Sequence, residues 1–138
     1  MRENTVEKKV VTCFLESGGK ILILRRSAHV GTYQDRWGGV SGYLDAGQDE
    51  QALTEIKEET GLLSNDVKII KHGEPLRVED KTLGVIWVVH PYLFHIQKPD
   101  KIHIDWEHTE IKWIKPAEIK NYETVPALAE ALARVWAE

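Results

Sequence analysis

The chain has 138 residues, of which 42% are hydrophobic and 29% are charged. This length suits one domain that buries its own core, and the composition excludes disordered and collagen-like proteins. The formal net charge is −4, and the acidic residues are spread along the chain, so no broad basic surface follows a nucleic-acid backbone. We expect a single domain over residues 1–138 and no nucleic-acid polymer as partner.

The N-terminus and the single cysteine bear on the cellular location. Met1–Asn4 leads into charged residues rather than an apolar signal-peptide core, and no hydrophobic stretch approaches the roughly 20 residues of a membrane span. Cys13 lies in an apolar run and has no cysteine partner, which predicts a packed thiol. We expect a cytoplasmic protein that does not bind membranes.

Two β-like runs come first, from about Val6 to Glu16 and from Lys20 to Leu24. Between them, Ser17-Gly18-Gly19 has the composition of a tight hairpin turn. A polar, glycine-containing stretch follows to Asp35. The segment from Trp37 to Leu44 is too rich in glycine for a helix and is interpreted as a strand.

A helix is predicted next, with Asp49 as its cap, a body that runs to about Thr60 and Gly61 as its C-terminal stop. Apolar residues, chiefly Ala52 and Ile56, with Leu53 beside them, predict the face that packs on the core. Spacings of three and four residues put the remaining long side chains together on the opposite face. These are Gln51, Glu55, Glu58 and Glu59.

The second half predicts more strands and a terminal helix. Strands are expected at Val67–Lys71, Leu76–Val78 and Leu83–Gln97, the last with a bulge at Pro91. Further on we expect a strand at Glu110–Ile114, a helical turn at Pro116–Ile119 and an amphipathic helix at Val125–Trp136, with Leu128, Leu132 and Val135 on one stripe. This order of elements indicates an α+β sandwich.

The most informative segment runs from Trp37 to Leu62 and reads WGGVSGYLDAGQDEQALTEIKEETGL. It resembles the Nudix box, whose usual form is glycine, five residues, glutamate, seven residues and REUxEExGU, with U aliphatic. Glu55 to Leu62 matches the final EUxEExGU at every defined position. The resemblance implies a Nudix-type α/β/α sandwich with a mixed sheet. It also implies magnesium-dependent hydrolysis of a phosphoanhydride (pyrophosphate) bond in a nucleoside diphosphate linked to another moiety, X.

The chain departs from the Nudix box at three points. Gln48 stands where the first motif glutamate belongs, Thr54 replaces the motif arginine, and the link between them is two residues shorter. The family arginine is expected to orient the neighbouring glutamates by charge-assisted hydrogen bonds, which threonine cannot do. A Nudix-fold nucleotide-binding or regulatory module without turnover therefore stays open as the alternative.

The resemblance assigns catalytic and metal-binding roles to the helix. Glu55 and Glu59 are the expected ligands, Glu58 is a ligand or the general base, and a backbone carbonyl near Ser41 or Gly42 completes the set. Carboxylates on one helical face suit magnesium, and manganese is the expected substitute.

Relatives often add a carboxylate from a downstream loop or strand. Glu107 and Glu110 are the candidates, and Glu110 is assigned to the metal site, with a solvated strand residue as its alternative reading. Among the histidines, the pairs His90/His95 and His103/His108 are expected at the surface or in packing rather than as zinc ligands.

Cationic and aromatic residues are candidates for contact with the substrate. Arg25, Arg26 and Arg36 lie near the loop that leads into the motif, where they could bind phosphate, or they are strand-end surface residues. Tyr33 could stack on a nucleobase, whereas Trp37 is expected to pack in the core.

Other features bear on specificity, assembly and a further chemistry. Specificity is expected to come from the loops at about Ser27–Arg36 and Glu74–Thr82. The remaining tryptophans on apolar stripes are expected in the core or in a homodimer interface. They are Trp87, Trp113 and Trp136. Isomerase chemistry on an isoprenoid diphosphate is a weaker alternative, because no second feature supports a catalytic thiol at Cys13.

Overall fold

A computed structural model describes residues 5–137. The prediction that Met1–Asn4 does not lead into a signal-peptide core falls on residues outside this range. The described strands and α-helices are β1 (Val6–Ser17), β2 (Lys20–Arg26), β3 (Trp37–Gly38), β4 (Val40–Tyr43), α1 (Gln48–Thr60), β5 (Val67–His72), β6 (Leu76–Asp80), β7 (Val85–Ile96), β8 (His108–Ile114) and α2 (Leu128–Ala133). Short 3₁₀ turns lie at Ser64–Asp66, Pro99–Lys101 and Pro116–Asn121. No helix within residues 5–137 is long and apolar enough to cross a membrane.

The strands form one mixed sheet centred on the two longest, β1 and β7. These run parallel, from Val6 opposite Val85 to Glu16 opposite His95. All other pairings are antiparallel: β2 and β4 pair with β1, β5 and β6 pair with β7, and β3 and β8 pair with β2. The predicted mixed sheet is confirmed.

One hydrophobic core lies on each face of the sheet. On the first face, Ala52 and Ile56 of α1 pack against strand residues that include Val11 and Phe94. On the second face, Leu128 and other residues of α2 pack against a separate set of strand residues. Helices therefore cover both faces, and the expected α/β/α sandwich is confirmed.

The predicted N-terminal hairpin forms, and its turn explains the two glycines. Gly18 and Gly19 have φ angles of +61° and +81°, which glycine adopts without steric cost. Two successive positive φ values are typical of a tight two-residue turn between antiparallel strands. Ser17 accordingly pairs with Lys20 across the turn.

The single strand predicted over Trp37–Leu44 is two short strands. β3 pairs with β2 through Gly38 opposite Leu24, whereas β4 pairs with β1 through Val40 opposite Cys13. At the break, a Cβ on Gly39 would lie 2.9 Å from the carbonyl oxygen of Cys13. Glycine at position 39 thus lets the chain pass close to β1 at the point where its pairing changes from β2 to β1.

The bulge predicted at Pro91 lies elsewhere. β7 pairs continuously with β1, and the irregular register is in β5, between Ile69 and Lys71. Pro91 fits because the other edge of β7 changes partner there, from β6 to β5. Its carbonyl oxygen accepts a hydrogen bond from the Gly73 amide at 2.9 Å.

Two helix predictions need correction. α1 begins at Gln48 with Gly47 as its N-cap, and Asp49 lies in the first turn, where its carboxylate accepts a hydrogen bond from the Tyr92 hydroxyl. The helix predicted over Val125–Trp136 is only six residues long, and it begins at Leu128 because Ala127 has a φ of +62°. The stripe predicted for this segment, Leu128, Leu132 and Val135, is nevertheless buried.

Candidate active site

The carboxylate face of α1 packs against strand β4. Glu59 is only 2% exposed, and its Oε1 atom accepts a long hydrogen bond of 3.4 Å from the Ser41 amide. Glu55 is half-buried beside Gly42, whereas Glu58 is exposed to the solvent. The face predicted to lie opposite the core is therefore largely enclosed, since Gln51 is buried as well.

Gly42 lets the helix approach the strand closely. A Cβ on Gly42 would lie 2.2 Å from the carboxyl carbon of Glu55, far inside van der Waals contact. Any other residue would displace this carboxylate. The glycine of the motif thus has a steric role beside the glutamates.

The carboxylate of Glu59 accepts few hydrogen bonds for a buried group. Its Oε2 atom is buried and has no hydrogen-bond partner among the described residues. Burial raises the pKa of Glu59 well above its usual value, and the nearby carboxylates of Glu107, Glu55 and Asp105 raise it further. A buried acceptor surrounded by like charges marks a place where a cation would lower the free energy.

Glu55 is held by an amide from the preceding turn of α1. Gln51 Nε2 donates to Glu55 Oε2 at 2.8 Å, and Gln51 Oε1 accepts a hydrogen bond from the Asp45 amide at 3.2 Å. Burial raises the pKa of Glu55, the neighbouring Glu59 carboxyl and the hydrogen bond from Gln51 oppose this shift, and the charges of Glu58 and Asp45 add to it. Gln51 thus connects the entry loop to the glutamate.

The downstream carboxylate near this cluster is Glu107. Burial raises its pKa, and the charges of Asp105 and Glu55 raise it further. Glu110, which was assigned to the metal site, instead forms a 3.0 Å ion pair with Arg25, with both side chains about two-fifths exposed. The structure does not bring Glu110 to the glutamate cluster.

His108 also contacts the cluster, which the sequence reasoning missed. Its ring lies with Nδ1 3.1 Å from Asp105 Oδ1 and Nε2 3.6 Å from Glu59 Oε1, and its side chain is only 3% exposed. Burial lowers the pKa of His108, while Asp105 opposes the shift. The sequence did hold a weak signal, since His108 directly follows Glu107 in the run Asp105–His108.

A cleft of about 400 Å³ extends from the glutamates across the second face of the sheet. Its lining includes three carboxylates, Glu55, Glu58 and Glu107, and three aromatic rings. Apolar residues of the sheet and α2 also line it: Val10, Val78, Val89, Leu128 and Ala131. The cleft therefore combines an anionic part with an aromatic and apolar one.

Of the three candidate arginines, Arg26 is the one that lines the cleft. It is half-buried and donates from Nε to the carbonyl oxygen of Thr32 at 3.0 Å. Arg25 pairs with Glu110, and Arg36 is exposed and donates to the carbonyl oxygen of Thr124 at 3.2 Å. Neither of these two is among the residues that line the cleft.

The aromatic part of the cleft is built from Tyr33, Tyr43 and Trp87. The Tyr33 hydroxyl donates to Asp80 Oδ2 at 2.6 Å and accepts from Trp87 Nε1 at 2.9 Å. Burial and the hydrogen bond to Asp80 raise the pKa of Tyr33 to about 12. The ring of Tyr43, which is half exposed, lies 6.3 Å from that of Trp87.

Two other sequence predictions concern packing, and both are confirmed. Trp37 is buried, with its ring edge-on to Tyr122 at 5.6 Å. Cys13 is buried beside the glutamates, and burial, followed by the charges of Glu59 and Glu55, raises the pKa of its thiol. A neutral, enclosed thiol does not suit nucleophilic chemistry.

A family model described as "NUDIX domain" matches residues 7–135, nearly the whole chain. The chain belongs to the Nudix hydrolase family. It is therefore a Nudix-type pyrophosphohydrolase, an enzyme that hydrolyses nucleoside diphosphate derivatives. The resemblance carried by the motif is confirmed. No curated protein matches the sequence.

Solved structures share this Nudix fold over most of their length. A MutT protein from Methanosarcina mazei Go1 is 21% identical, with a TM-score of 0.78 over 94% of this chain and 93% of that one. A C. elegans Ap4A hydrolase, in a binary complex, is 21% identical, with a TM-score of 0.72 over 94% of each chain. The E. coli ORF135 protein is 23% identical, with a TM-score of 0.71 over 94% of this chain and 89% of that one. At these identities the likeness concerns the fold.

Nudix hydrolases generally use divalent metals, and the donor set here fits a hard cation. Glu59 Oε2 is a buried oxygen without a partner, and Glu55 lies beside it. Within residues 5–137, no group of three or more histidine, cysteine, aspartate or glutamate side chains is placed so that it could hold a metal ion. Magnesium does not require one, because it keeps several waters and binds through one or two carboxylates together with substrate phosphates.

Proposed function

We propose that this Nudix enzyme hydrolyses a phosphoanhydride bond in a nucleoside diphosphate linked to another moiety, with magnesium held by α1. The observation that carries the proposal is the buried Oε2 atom of Glu59, which has no hydrogen-bond partner among residues 5–137 and lies near Glu55 and Glu107, two carboxylates that line the cleft. Such an arrangement is costly without a cation. It is favourable once a divalent cation and the substrate phosphates balance the charge.

Glu55 and Glu59 are the proposed ligands, and the Gly42 carbonyl completes the set. Glu107 takes the place first given to Glu110, because Glu107 lines the cleft and Glu110 is paired with Arg25. Magnesium, when bound, neutralises the pyrophosphate oxygens and lowers the pKa of a coordinated water. Manganese has similar ligand preferences and is the expected substitute.

The other groups of the cleft position the substrate. Glu58 is exposed in the anionic part and is the proposed base that accepts a proton from the attacking water. Arg26 is proposed to bind a phosphate oxygen, because it is the candidate arginine that lines the cleft near Glu107 and Glu59. Neither Arg25 nor Arg36 has this position.

The aromatic part is proposed to receive the nucleoside. Trp87 and Tyr43 line the cleft and are proposed to stack on the base, and Tyr33 is fixed between Asp80 and Trp87. Lys8 Nζ lies over both rings, 5.6 Å from the centre of Tyr43 and 6.0 Å from that of Trp87. The volume of about 400 Å³ lies within the usual range of small-molecule sites, roughly 300–1,000 Å³. The bond to be cleaved would then lie between the rings and the glutamates.

The test is product formation from a panel of dinucleotides, nucleotide sugars and nucleoside triphosphates, with and without magnesium. Glu59→Gln keeps the shape of the side chain and removes its charge, so it should lose at least about 100-fold in kcat, as when a key transition-state contact is removed. Glu50→Gln is the matched control, because Glu50 is exposed in the first turn of the same helix. It should leave the activity unchanged.

Two results would contradict the proposal in different ways. Tight nucleotide binding without any magnesium-dependent product would indicate a binding module rather than an enzyme. Full activity in Glu59→Gln would show that the metal site lies elsewhere.

A further inference from the structure

The two enclosed glutamates need groups that fix their carboxylates, because like charges at close range repel one another. Gln51 is one such group. It is only 9% exposed, and its amide is used at both ends: the oxygen accepts from the Asp45 amide and the nitrogen donates to Glu55. Because Gly42 confines Glu55 from the other side, the carboxylate is held between the strand and the glutamine.

His108 lies near Glu59 but is held by Asp105 instead. Its Nδ1 atom is 3.1 Å from Asp105 Oδ1, whereas its Nε2 atom is 3.6 Å from Glu59 Oε1, beyond hydrogen-bond distance. Burial lowers the pKa of His108, and a neutral imidazole that donates from Nδ1 has no proton on Nε2. His108 therefore does not orient the Glu59 carboxylate.

Other groups near the two carboxylates serve them less well. The Ser41 amide donates a long hydrogen bond of 3.4 Å to Glu59. Thr54 precedes Glu55 on α1 but is exposed on the outside of the helix. Arg26 directs its Nε and one terminal nitrogen to Thr32.

We infer that Gln51 is a positioning residue, which holds Glu55 in the arrangement that takes up a divalent cation. The inference rests on the proposed function, since it concerns the same cation site. Groups that orient ligands in this way commonly change metal affinity by about 10- to 100-fold when they are removed. Gln51 does not need to touch the cation or the substrate.

The test is the affinity for Mn²⁺, measured from free Mn²⁺ by electron paramagnetic resonance in the absence of nucleotide. Gln51→Met removes the amide with little change in size and should weaken binding by about 10- to 100-fold. Gln97→Met is the matched control, because Gln97 is exposed and does not line the cleft. It should leave the affinity unchanged.

Kinetics separate positioning from general damage to the fold. Gln51→Met should need more metal for half-maximal rate, while the KM for nucleotide at saturating metal stays unchanged. If Gln51→Met does not fold, Gln51→Ala serves the same test. Wild-type affinity in the folded Gln51 variant, or an equal loss of affinity in Gln97→Met, would overturn the inference alone. No Mn²⁺ binding by the wild-type protein would overturn the proposed function and the inference with it.

Discussion

Position 42 shows how one missing side chain shapes the site. Alanine there would place its Cβ against the flexible end of Glu55 rather than against backbone, so the carboxylate should move while the fold persists. We predict that Gly42→Ala retains wild-type thermal stability to within a few degrees, roughly 1 kcal/mol, but loses most of its magnesium-dependent activity.

Gly47→Ala is the control for this prediction. It lies in the same motif, and a Cβ there would meet no atom within 4 Å. Calorimetry and initial rates on both variants check the prediction. Equal activity in the two would show that the position of Glu55 does not matter for turnover.

His90 should make stability depend on pH. Its Nε2 atom is buried without a partner among residues 5–137, and burial, with His72 and Lys9 nearby, lowers its pKa. The unfolded chain therefore binds a proton near pH 6.5, whereas the folded chain binds it only at lower pH. Stability is fully present above about pH 6.5 and falls as the pH drops toward the folded pKa.

The His90→Leu variant isolates this contribution from those of other groups. Urea unfolding at about pH 7 and about pH 5.5, on either side of the usual histidine pKa, should show a larger loss of unfolding free energy for the wild-type protein than for the variant. Parallel losses in the two proteins would mean that His90 titrates alike in the folded and unfolded states.

Residues of the site differ in how far the sequence predicts them. Glu55, Glu58 and Glu59 are joined by helical spacing, so one segment is enough to place them on one face. Glu107, His108 and Arg26 join them through the pairing of β8 with β2, in which Arg26 lies opposite His108. That register depends on the folding of distant segments, and the sequence therefore favoured Glu110, only three residues away.

At the scale of elements, the C-terminal end of α1 depends on Gly61. Its φ of +78° and the hydrogen bond from its amide to the Lys57 carbonyl oxygen end the helix, as predicted. We expect Gly61→Ala to lower the free energy of unfolding by about 1 kcal/mol, because a Cβ is unfavourable in this conformation. Gly61→Asn should lose less, since asparagine tolerates it better. Urea titration checks both, and an unchanged stability in Gly61→Ala would refute the argument.

Elements were predicted best where local patterns decide them. The hairpin at Gly18-Gly19 and the helix before Gly61 carry their own stop signals, and both form. The segment Trp37–Leu44 divides between two partner strands, and the last helix is shortened by Ala127. These outcomes depend on contacts with β1, β2 and the sheet face, which no local pattern encodes.

At the scale of the whole molecule, the cleft combines parts from distant segments. Trp87 of β7 faces Tyr43 of β4 because β1 lies between these strands and pairs with both. The order of elements predicted a sandwich, but not the parallel pairing of β1 with β7 that brings the aromatic and anionic parts together. Trp87, expected in a core or dimer interface, lines the cleft instead.

Stacking on Trp87 should contribute to substrate binding. Removing one aromatic platform commonly costs about 1–3 kcal/mol, so Trp87→Leu should raise the KM for the best substrate by about 10-fold or more. Trp106→Leu is the control, because Trp106 is 66% exposed and does not line the cleft. A KM that changes equally in both variants would argue against stacking at Trp87.

The central claim is that the carboxylates of α1 hold a divalent cation. Anomalous X-ray diffraction from crystals grown with Mn²⁺ and a non-hydrolysed nucleotide tests it directly. The account predicts a peak about 2 Å from carboxylate oxygens of both Glu55 and Glu59, as expected for direct coordination of a small divalent cation. A peak elsewhere in the molecule, with no density between these two side chains, would contradict it.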